Sequence, residues 1–453
     1  MATVPGAWSH GLAPAAPLLL LLAALACAPL GLGPKGARAP EPARADADSR
    51  EAAGNAVAAL QAPAPAKNGA AAQRWKAEGL VSVRLSRFEQ RGELVVRGAR
   101  GGRGASLSIE VHRQGAALRV AQGAAPSAEA LIEPQDPAAG LQLDGARYRG
   151  KLRLRPHGEG GLSVDNLLDL EDYVAGVVAG EVQLLGSSRA ELEAQAIASR
   201  SFALAQFEAR GARSLEVRLQ DSTRDQRYVG VFEPTREERS QRAARELAAA
   251  IEATRGLVLE ENGATLDARF HAACGGRTAD AADVFPEAAR FRSLTSVDCP
   301  ACGGSAAEGG AVLPAAQGAD LSWRASLDRG RLDLLARALG VGTRLLTLAP
   351  LRRDRGGRWV EVEVTGDRER RQISFETLRR ELRDNAVASN LVLLSEPRPG
   401  KPIEGSLMFV GRGRGHGVGL CQNGCRVAAA RGWSAERILA HFYPGSAVVD
   451  GRR

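Results

Sequence analysis

The most informative part of the chain reads LEDYVAGVVAGE at residues 170–181 and EAQAIASRSFA at residues 193–203. In the first stretch Leu170 and Val174 fall on one face of a helix, and apolar residues recur at helical spacing in the second. We therefore expect two consecutive helices, the second of which extends over residues 189–210.

The sequence on both sides of these helices predicts a mixture of strands and helices. In residues 80–154, apolar and polar residues alternate with the period of two that is typical of strands, and glycines separate the runs. After the two helices, strand-like and helix-like segments follow one another without the regular spacing of βαβ units. We therefore predict the α+β class, with a small N-terminal β-rich domain followed by a larger mixed α+β domain. The later predicted elements are helices at 236–253, 332–339 and 435–442, and strands at 257–260, 264–271, 360–364 and 391–394.

The N-terminal region has the composition of an export signal followed by a tether. Residues 11–33 carry no charge, and their apolar core at 18–26 is shorter than a membrane-spanning helix requires. Ordinary cleavage, lipidation of Cys27 and an uncleaved membrane anchor stay open, and each of them exports the protein to the periplasm or cell envelope. The Ala- and Pro-rich stretch that follows has too few large apolar residues to order itself. The predicted domains are a signal peptide or lipoprotein signal at 1–33, a tether at 34–75, the β-rich domain at 76–160 and the larger domain at 161–450.

The charge balance narrows the range of partners. Of 453 residues, 60 are Lys or Arg and 52 are Asp or Glu, so the formal net charge is +8. This excess favours polyanionic partners such as nucleic acid, a membrane surface or an anionic wall polymer. Export and an aromatic content of only 4% speak against nucleic acid. We therefore expect partners in the cell envelope and no nucleic acid.

One carboxyl group stands out in the first predicted helix. Tyr173, Val177 and Glu181 are four residues apart and share one face, so Glu181 ends an otherwise apolar stripe. A carboxyl group held against apolar neighbours has a raised pKa, so it can stay protonated and act as a general acid. The alternative interpretation is that Glu181 is a solvated residue at the end of a helix.

Four further sequence blocks follow the two helices, and they read QRYVG at 226–230, TRGLVL at 254–259 with FHAACGGRT at 270–278, GRGHGVGLCQ at 413–422 and ILAHFYPG at 438–445. Together with the two helices, these blocks resemble the stage II sporulation protein D family, whose members are also described as amidase enhancers. The resemblance covers about residues 165–445.

The resemblance implies action on peptidoglycan glycan strands. Characterised members of the family are lytic transglycosylases that favour strands stripped of their peptides, and their essential glutamate corresponds to Glu181. One carboxyl suffices for this chemistry, since it protonates the leaving glycosidic oxygen and then deprotonates the C6 hydroxyl of N-acetylmuramic acid, which closes a 1,6-anhydro ring. The resemblance also implies that sugar hydroxyls and N-acetyl groups are held by Gln195, Arg200, Tyr228 and Gln422.

The glycine-rich block around His416 does not have the pattern of a phosphate-binding loop. It lacks Gly-Lys-Ser/Thr, and the third glycine of a dinucleotide fingerprint is missing. Glycines at these positions instead allow close backbone packing around the histidine, since they have no Cβ. His416 is then a substrate-binding residue, a support for Glu181 or a histidine that satisfies a core hydrogen bond.

The cysteines form a second constellation. Cys299 and Cys302 make a compact chelating pair, and Cys274 and Cys421 lie within blocks of the family resemblance, so together the four would suit a structural zinc ion. Cys425 is then left over. With Cys27 in the export segment, five thiols remain, and an odd number argues against a purely disulfide account. The alternative is two disulfides, Cys299 with Cys302 and Cys421 with Cys425.

Three functional hypotheses follow from these observations. The first is a glycan-cleaving enzyme, which needs no cofactor for its chemistry. The second is a noncatalytic wall-binding protein that stimulates a cell-wall amidase, which needs a binding groove but not Glu181. The third is a metal-dependent hydrolase, for which the nearby histidines do not form an open set of three ligands.

Overall fold

A computed structural model describes residues 80–100, 106–120, 126–210, 219–302, 321–382 and 386–452. These residues all belong to one compact unit. The predicted signal segment, Cys27 and the predicted tether lie outside the described residues. Among the described helices, none combines the length and the apolar character needed to cross a membrane.

The N-terminal part of the described chain is built from two five-stranded sheets. One has the order β10-β1-β9-β8-β5 and the other β4-β3-β2-β6-β7. The strands are β1 (Leu80–Arg84), β2 (Glu93–Arg100), β3 (Ser106–Gln114), β4 (Ala117–Val120), β5 (Ala130–Ile132), β6 (Leu141–Leu143), β7 (Ala146–Tyr148), β8 (Lys151–His157), β9 (Gly161–Asp169) and β10 (Leu219–Gln220).

The helices begin where the sequence supplies capping residues. Asp169 and Ser188 accept hydrogen bonds from the amides of Glu171 and Glu191, and so start the first two helices. The α-helices of the described residues are α1 (Leu170–Glu181), α2 (Arg189–Ala209), α3 (Glu238–Ala253), α4 (Ala281–Val284), α5 (Arg329–Ala338), α6 (Phe375–Glu381), α7 (Gln422–Ala430) and α8 (Ala435–Phe442), and Ser86–Phe88 and Pro286–Ala288 are 3₁₀ turns.

Strands of two to nine residues lie between the helices in the C-terminal part. Small sheets form with the orders β12-β11-β21, β13-β20, β14-β19-β18 and β15-β16-β17. The strands are β11 (Leu257–Glu261), β12 (Ala264–Thr265), β13 (Phe270–His271), β14 (Ser322–Leu327), β15 (Leu345–Arg353), β16 (Trp359–Gly366), β17 (Arg370–Ser374), β18 (Val392–Glu396), β19 (Leu407–Arg412), β20 (Leu420–Cys421) and β21 (Ala447–Asp450).

Three buried clusters of apolar side chains hold these elements together. The first joins the β-rich part to α1, α2 and α3. The second surrounds the cysteines and includes α8. The third lies within the segment from β14 to β19. Because β8 and β9 pair as a hairpin, the boundary predicted between residues 160 and 161 falls in the turn that joins two paired strands.

The α+β prediction is confirmed, and the predicted helices match α1, α2, α3, α5 and α8 closely. The continuous strand predicted at 264–271 is wrong. The chain forms two separate short strands there. The first, β12, pairs with β11, and the second, β13, pairs with β20. Between them, Ala268 and Arg269 donate to carbonyls only two residues earlier, so the backbone turns instead of extending.

Candidate active site

Glu181 is the last residue of α1 and lies where the apolar face of that helix ends. Tyr173 and Val177, on the same face, are completely buried. The backbone N–H of Arg227 donates to Oε1 of Glu181 over 2.7 Å, and Nε2 of Gln422 lies 3.4 Å from Oε2. Burial raises the pKa of Glu181 above its ordinary value, and these two hydrogen bonds oppose the shift.

The carboxyl group of Glu181 opens onto a pocket of about 180 Å³. The pocket lies between the C-terminal end of α1, the beginning of α2 and the beginning of α7. Six of the eight residues that line it have polar or charged side chains. The residues that line it are Glu181, Val182, Gln183, Glu191, Ala272, Gln422, Asn423 and Arg426.

Two of the residues predicted to bind substrate stand beside Glu181. Gln422 lines the pocket, and its Nε2 lies 3.4 Å from Oε1 of Gln195 as well as near Glu181. Gln195 is buried behind Gln422, and its own amide donates to Ser199 over 3.1 Å. The structure therefore brings Glu181, Gln422 and Gln195 together from three helices, with Gln422 facing the pocket.

Arg200 lies elsewhere, inside the protein. Its guanidinium group is completely buried and makes two parallel contacts to Glu171, at 3.0 and 2.6 Å, and a third to the carbonyl of Leu257 at 2.9 Å. The side chain does not line the pocket beside Glu181. A role in substrate binding stays a prediction for this residue, while its visible contacts join α2 to α1 and β11.

Tyr228 is also buried and does not line this pocket. Its hydroxyl donates to Oδ1 of Asn166 over 2.8 Å, and its ring stacks on Tyr173 with centroids 5.5 Å apart. Burial raises the pKa of the Tyr228 hydroxyl well above its ordinary value. These contacts hold the loop that contains Tyr228 in place. The residue before Tyr228 in this loop is Arg227, whose backbone N–H donates to Glu181.

The structure favours the core hydrogen-bond interpretation of His416. Its Nε2 lies 2.9 Å from the carbonyl of Phe270, and its Nδ1 accepts from the N–H of Val418 over 3.1 Å. Burial lowers the pKa of His416 well below its ordinary value, so the ring is neutral. The histidine holds the glycine-rich block against β13.

Sequence reasoning missed two charged residues of the pocket, Glu191 and Arg426. Nε of Arg426 lies 3.3 Å from Oε1 of Glu191, and Nη1 donates to Oε1 of Gln183 over 3.1 Å. Burial raises the pKa of Glu191, and the charge of Arg426 opposes it. The capping pattern formed by Ser188 and Glu191, three residues apart, was visible in the sequence, but it signals only the start of a helix. No sequence pattern indicated that Arg426 would line a pocket.

The four predicted metal ligands converge at one buried point. The Sγ atoms of Cys274, Cys299, Cys302 and Cys421 lie within 4.8 Å of one another, and those of Cys302 and Cys421 are 3.6 Å apart. None of the five cysteines of the described residues forms a disulfide, and Cys425 stands outside the cluster. Four sulfurs around one zinc ion at ~2.3 Å form a tetrahedron with edges of about 3.8 Å, which these positions fit.

The surroundings of the cluster supply hydrogen bonds suited to thiolates. The amides of Cys274 and Gly424 each donate to Sγ of Cys421 over 3.3 Å, and Nδ2 of Asn423 donates to Sγ of Cys302 over 3.3 Å. Such donors orient and stabilise sulfur ligands of a metal. A Cβ on Gly424 would lie 2.7 Å from Sγ of Cys299, so only glycine lets α7 approach the cluster so closely.

The cluster and the pocket share consecutive residues. Cys421 caps α7, Gln422 contacts Glu181, and Asn423 both lines the pocket and bonds to Cys302. The amide of Asn423 also donates to the carbonyl of Ala272, another pocket residue, over 3.0 Å. The position of this pocket wall therefore depends directly on the packing of the cysteine cluster.

Comparison with known proteins identifies a family domain that contains part of this site. Residues 158–260 match the family model described as stage II sporulation protein, and this match includes α1, α2 and Glu181. The chain thus carries a stage II sporulation protein domain, which confirms the family assignment, and the match ends at residue 260 whereas the resemblance in the sequence extends to about residue 445. A role related to the cell wall or to sporulation follows from that domain, with a general link to wall lysis and to peptidoglycan.

Two further similarities extend beyond this domain. Residues 323–419 match a family model described as a domain of unknown function, which contains most of the segment from β14 to β19. An uncharacterized protein of Brachyspira hyodysenteriae is 26% identical over 325 residues, which are 71% of this chain and 77% of that protein. The similarity therefore spans more than the stage II sporulation protein domain alone.

Proposed function

We propose that this protein cleaves the glycan strands of peptidoglycan as a lytic transglycosylase, with Glu181 as the single acid and base. The observation that carries the proposal is the placement of Glu181: a carboxyl group with a burial-raised pKa faces a polar pocket. Its sequence context also corresponds to the family's essential glutamate. The protein would act in wall remodelling or sporulation, and the N-terminal segment would export it to the cell envelope.

The proposed reaction balances with one carboxyl group. Protonated Glu181 donates its proton to the glycosidic oxygen, and the bond from that oxygen to C1 of N-acetylmuramic acid breaks. The C6 hydroxyl of the same sugar then attacks C1 and transfers its proton to Glu181, so the carboxyl group is restored and no water is consumed. The tethered hydroxyl makes an activated water unnecessary. Gln422 and the amide of Arg227 hold the carboxylate that forms between the two steps.

The direct test is digestion of peptide-free glycan strands by the full chain. Mass spectrometry of the products distinguishes 1,6-anhydro ends from the reducing ends that hydrolysis leaves. A protein that binds the strands without cleaving them, yet stimulates a cell-wall amidase, would support the activator hypothesis instead. Cleavage that leaves reducing ends would contradict the transglycosylase reaction.

The pH dependence should report the pKa of Glu181. Because the first step needs the protonated acid, kcat/KM should fall as pH rises through a pKa that burial places above the ordinary glutamate value. Gln422→Ala removes a hydrogen bond that lowers this pKa, so the fall should move to higher pH. Gln183→Ala is the control, since Gln183 lines the same pocket but contacts Arg426. A pH profile unchanged by Gln422→Ala would contradict the assignment.

We also propose that Cys274, Cys299, Cys302 and Cys421 hold a structural zinc ion. The ion would tie β20 and α7 to the loop after β13 and would take no part in glycan cleavage. A tetrahedral set of four thiolates has no open position for a substrate. Metal binding to such a site stabilises the folded state directly, because the unfolded chain does not present the ligands together.

Metal removal should therefore destabilise the protein rather than stop an otherwise intact catalyst. Treatment with a chelator under reducing conditions should lower the thermal unfolding temperature, and elemental analysis should find about one zinc per chain. Cys302→Ser should lose the metal, whereas the matched variant Cys425→Ser should retain it. Equal metal content and stability in both variants would instead support the disulfide interpretation or free thiols.

A further inference from the structure

A fully buried arginine in the segment from β14 to β19 contacts the loop that carries Cys274. Arg358 precedes β16 and has no exposed surface. Its Nη2 donates to the carbonyl of Cys274, and to that of Arg277 over 3.2 Å. Its Nη1 donates to Oδ1 of Asn390 over 2.7 Å. One of the four predicted metal ligands, Cys274, is therefore held through its own carbonyl by this guanidinium group.

The partners that the structure gives Arg358 do not balance its charge well. Its hydrogen bonds go to neutral groups, and the carboxylate paired with it is that of Asp354, whose Oδ2 lies 3.9 Å from Nε. Within the described residues, neither of these two atoms has a hydrogen-bond partner. A buried cation without a close anion is strongly destabilising. Another negative charge near Arg358 would remove this penalty.

The cysteine cluster supplies that charge only in one of its chemical forms. Four thiolates around one divalent ion carry a net charge of about −2, whereas thiols and disulfides are neutral. The guanidinium group of Arg358 contacts the backbone carbonyl of Cys274, so it lies next to the cluster that would carry this charge. The other carboxylate oxygen of Asp354, Oδ1, accepts a hydrogen bond from the backbone N–H of Arg358 over 2.8 Å.

The glycine-rich block also makes room for this side chain. Gly417 has φ of +89°, and a Cβ there would lie 2.8 Å from Cζ of Arg358. The backbone carbonyl of Gly417 is held by the amide of Ala279 over 2.8 Å, so the loop cannot easily move away. The second glycine around His416 thus has a specific steric partner, which comes from a different segment of the chain.

We infer that Arg358 is the counter-charge of the metal-loaded thiolate form of the cysteine cluster. In this arrangement the segment from β14 to β19 supports the metal site, and the metal in turn stabilises the docking of that segment. The inference rests on the proposed metal site and is independent of glycan cleavage.

Metal titration of the full chain tests the inference. Metal-free protein under reducing conditions is titrated with Co²⁺, which the thiolate charge-transfer band reports, and with Zn²⁺ against a chromophoric chelator. Arg358→Met should bind both ions about tenfold more weakly, or weaker still, as removal of an outer partner of a metal site does. Arg358→Lys, which keeps the charge but loses the planar contacts, should fall between this variant and the natural protein.

A matched control separates charge balance from general loss of stability. Arg329 lies in the same segment and donates to two carbonyls, those of Ile403 and Leu345, each over 2.8 Å. Unlike Arg358, it has a close carboxylate of its own, that of Asp333, at 3.0 Å. Arg329→Met should therefore leave metal affinity unchanged. Equal affinity in Arg358→Met and the natural protein, or equal weakening in both Met variants, overturns the inference.

A measurement on the natural protein covers the case in which Arg358→Met does not fold. Metal removal should speed hydrogen exchange at the amides of Arg358 and Trp359, which bond to Asp354 and Asn390, while the pairing of β16 with β17 stays protected. Equal exchange with and without metal overturns the inference. If the natural protein develops no thiolate band with Co²⁺, the metal site itself fails, and this inference fails with it.

Discussion

Glu181→Gln should reduce the release of 1,6-anhydro ends from peptide-free glycan strands by about 10²- to 10⁴-fold, the usual contribution of a general acid or base. Glutamine keeps the size of the side chain and can still bond to the amide of Arg227, but it cannot transfer a proton to the glycosidic oxygen. The measurement is the rate of product formation by mass spectrometry, with strand binding measured in parallel. Binding should be largely retained, since the pocket wall is unchanged.

The matched control for this variant is Glu193→Gln. Glu193 lies on α2 and pairs with Arg189 over 2.7 Å, away from the pocket lining. The same chemical change there should leave the cleavage rate near that of the natural protein. Undiminished cleavage by Glu181→Gln would refute the catalytic assignment. If the natural protein also fails to cleave but binds strands, the activator hypothesis takes precedence.

Arg200→Met should have the largest effect on stability. Arg200 is completely buried and pairs with Glu171, which also accepts from the amide of Gly256 over 3.1 Å. The variant leaves the Glu171 carboxylate without its partner, and loss of one member of a buried pair typically costs about 3–5 kcal/mol. The free energy of unfolding, measured by urea titration, should fall by that amount. The double variant with Glu171→Leu should recover part of it.

Arg189→Met provides the comparison on the same helix. Arg189 pairs with Glu193, but both side chains are partly exposed, so the loss should be about 1 kcal/mol or less. These two variants also decide between two roles for Arg200. If Arg200→Met is as stable as the natural protein but raises KM for glycan strands, then Arg200 binds substrate, as the family resemblance implies, and the structural role described here is wrong.

Local sequence predicted much of the fold because helix periodicity and capping residues are local signals. The helices that begin at Leu170 and Arg189 appear where apolar spacing placed them, with Asp169 and Ser188 as caps. The helix at Gln422–Ala430 was not predicted. It contains Gly424, which lowers helix propensity, and the reason for that glycine is the sulfur of Cys299, more than a hundred residues away in the chain.

In the candidate site, too, some features follow from the local sequence and others depend on contacts between distant residues. The apolar stripe that ends at Glu181 is a local pattern, and it correctly predicts a raised pKa for that carboxyl group. The pairing of Glu191 with Arg426 could not be predicted, because the two residues lie on different helices and neither belongs to a distinctive motif. Conversely, Arg200 lies in a segment that carries the family resemblance, yet its side chain forms a buried ion pair with Glu171.

By itself, the sequence determined the helix pair, the alternation of the β-rich part, the position of Glu181 on an apolar face and the closely spaced pair Cys299 and Cys302. Only the tertiary structure decided which side chains face one pocket, that Gln422 and Asn423 join the cysteine cluster to it, and that Arg358 is buried against the loop of Cys274. The physical reason is that periodicity, capping and chelating pairs depend on neighbours in the chain. Pocket walls and charge balance depend on residues that meet only after folding.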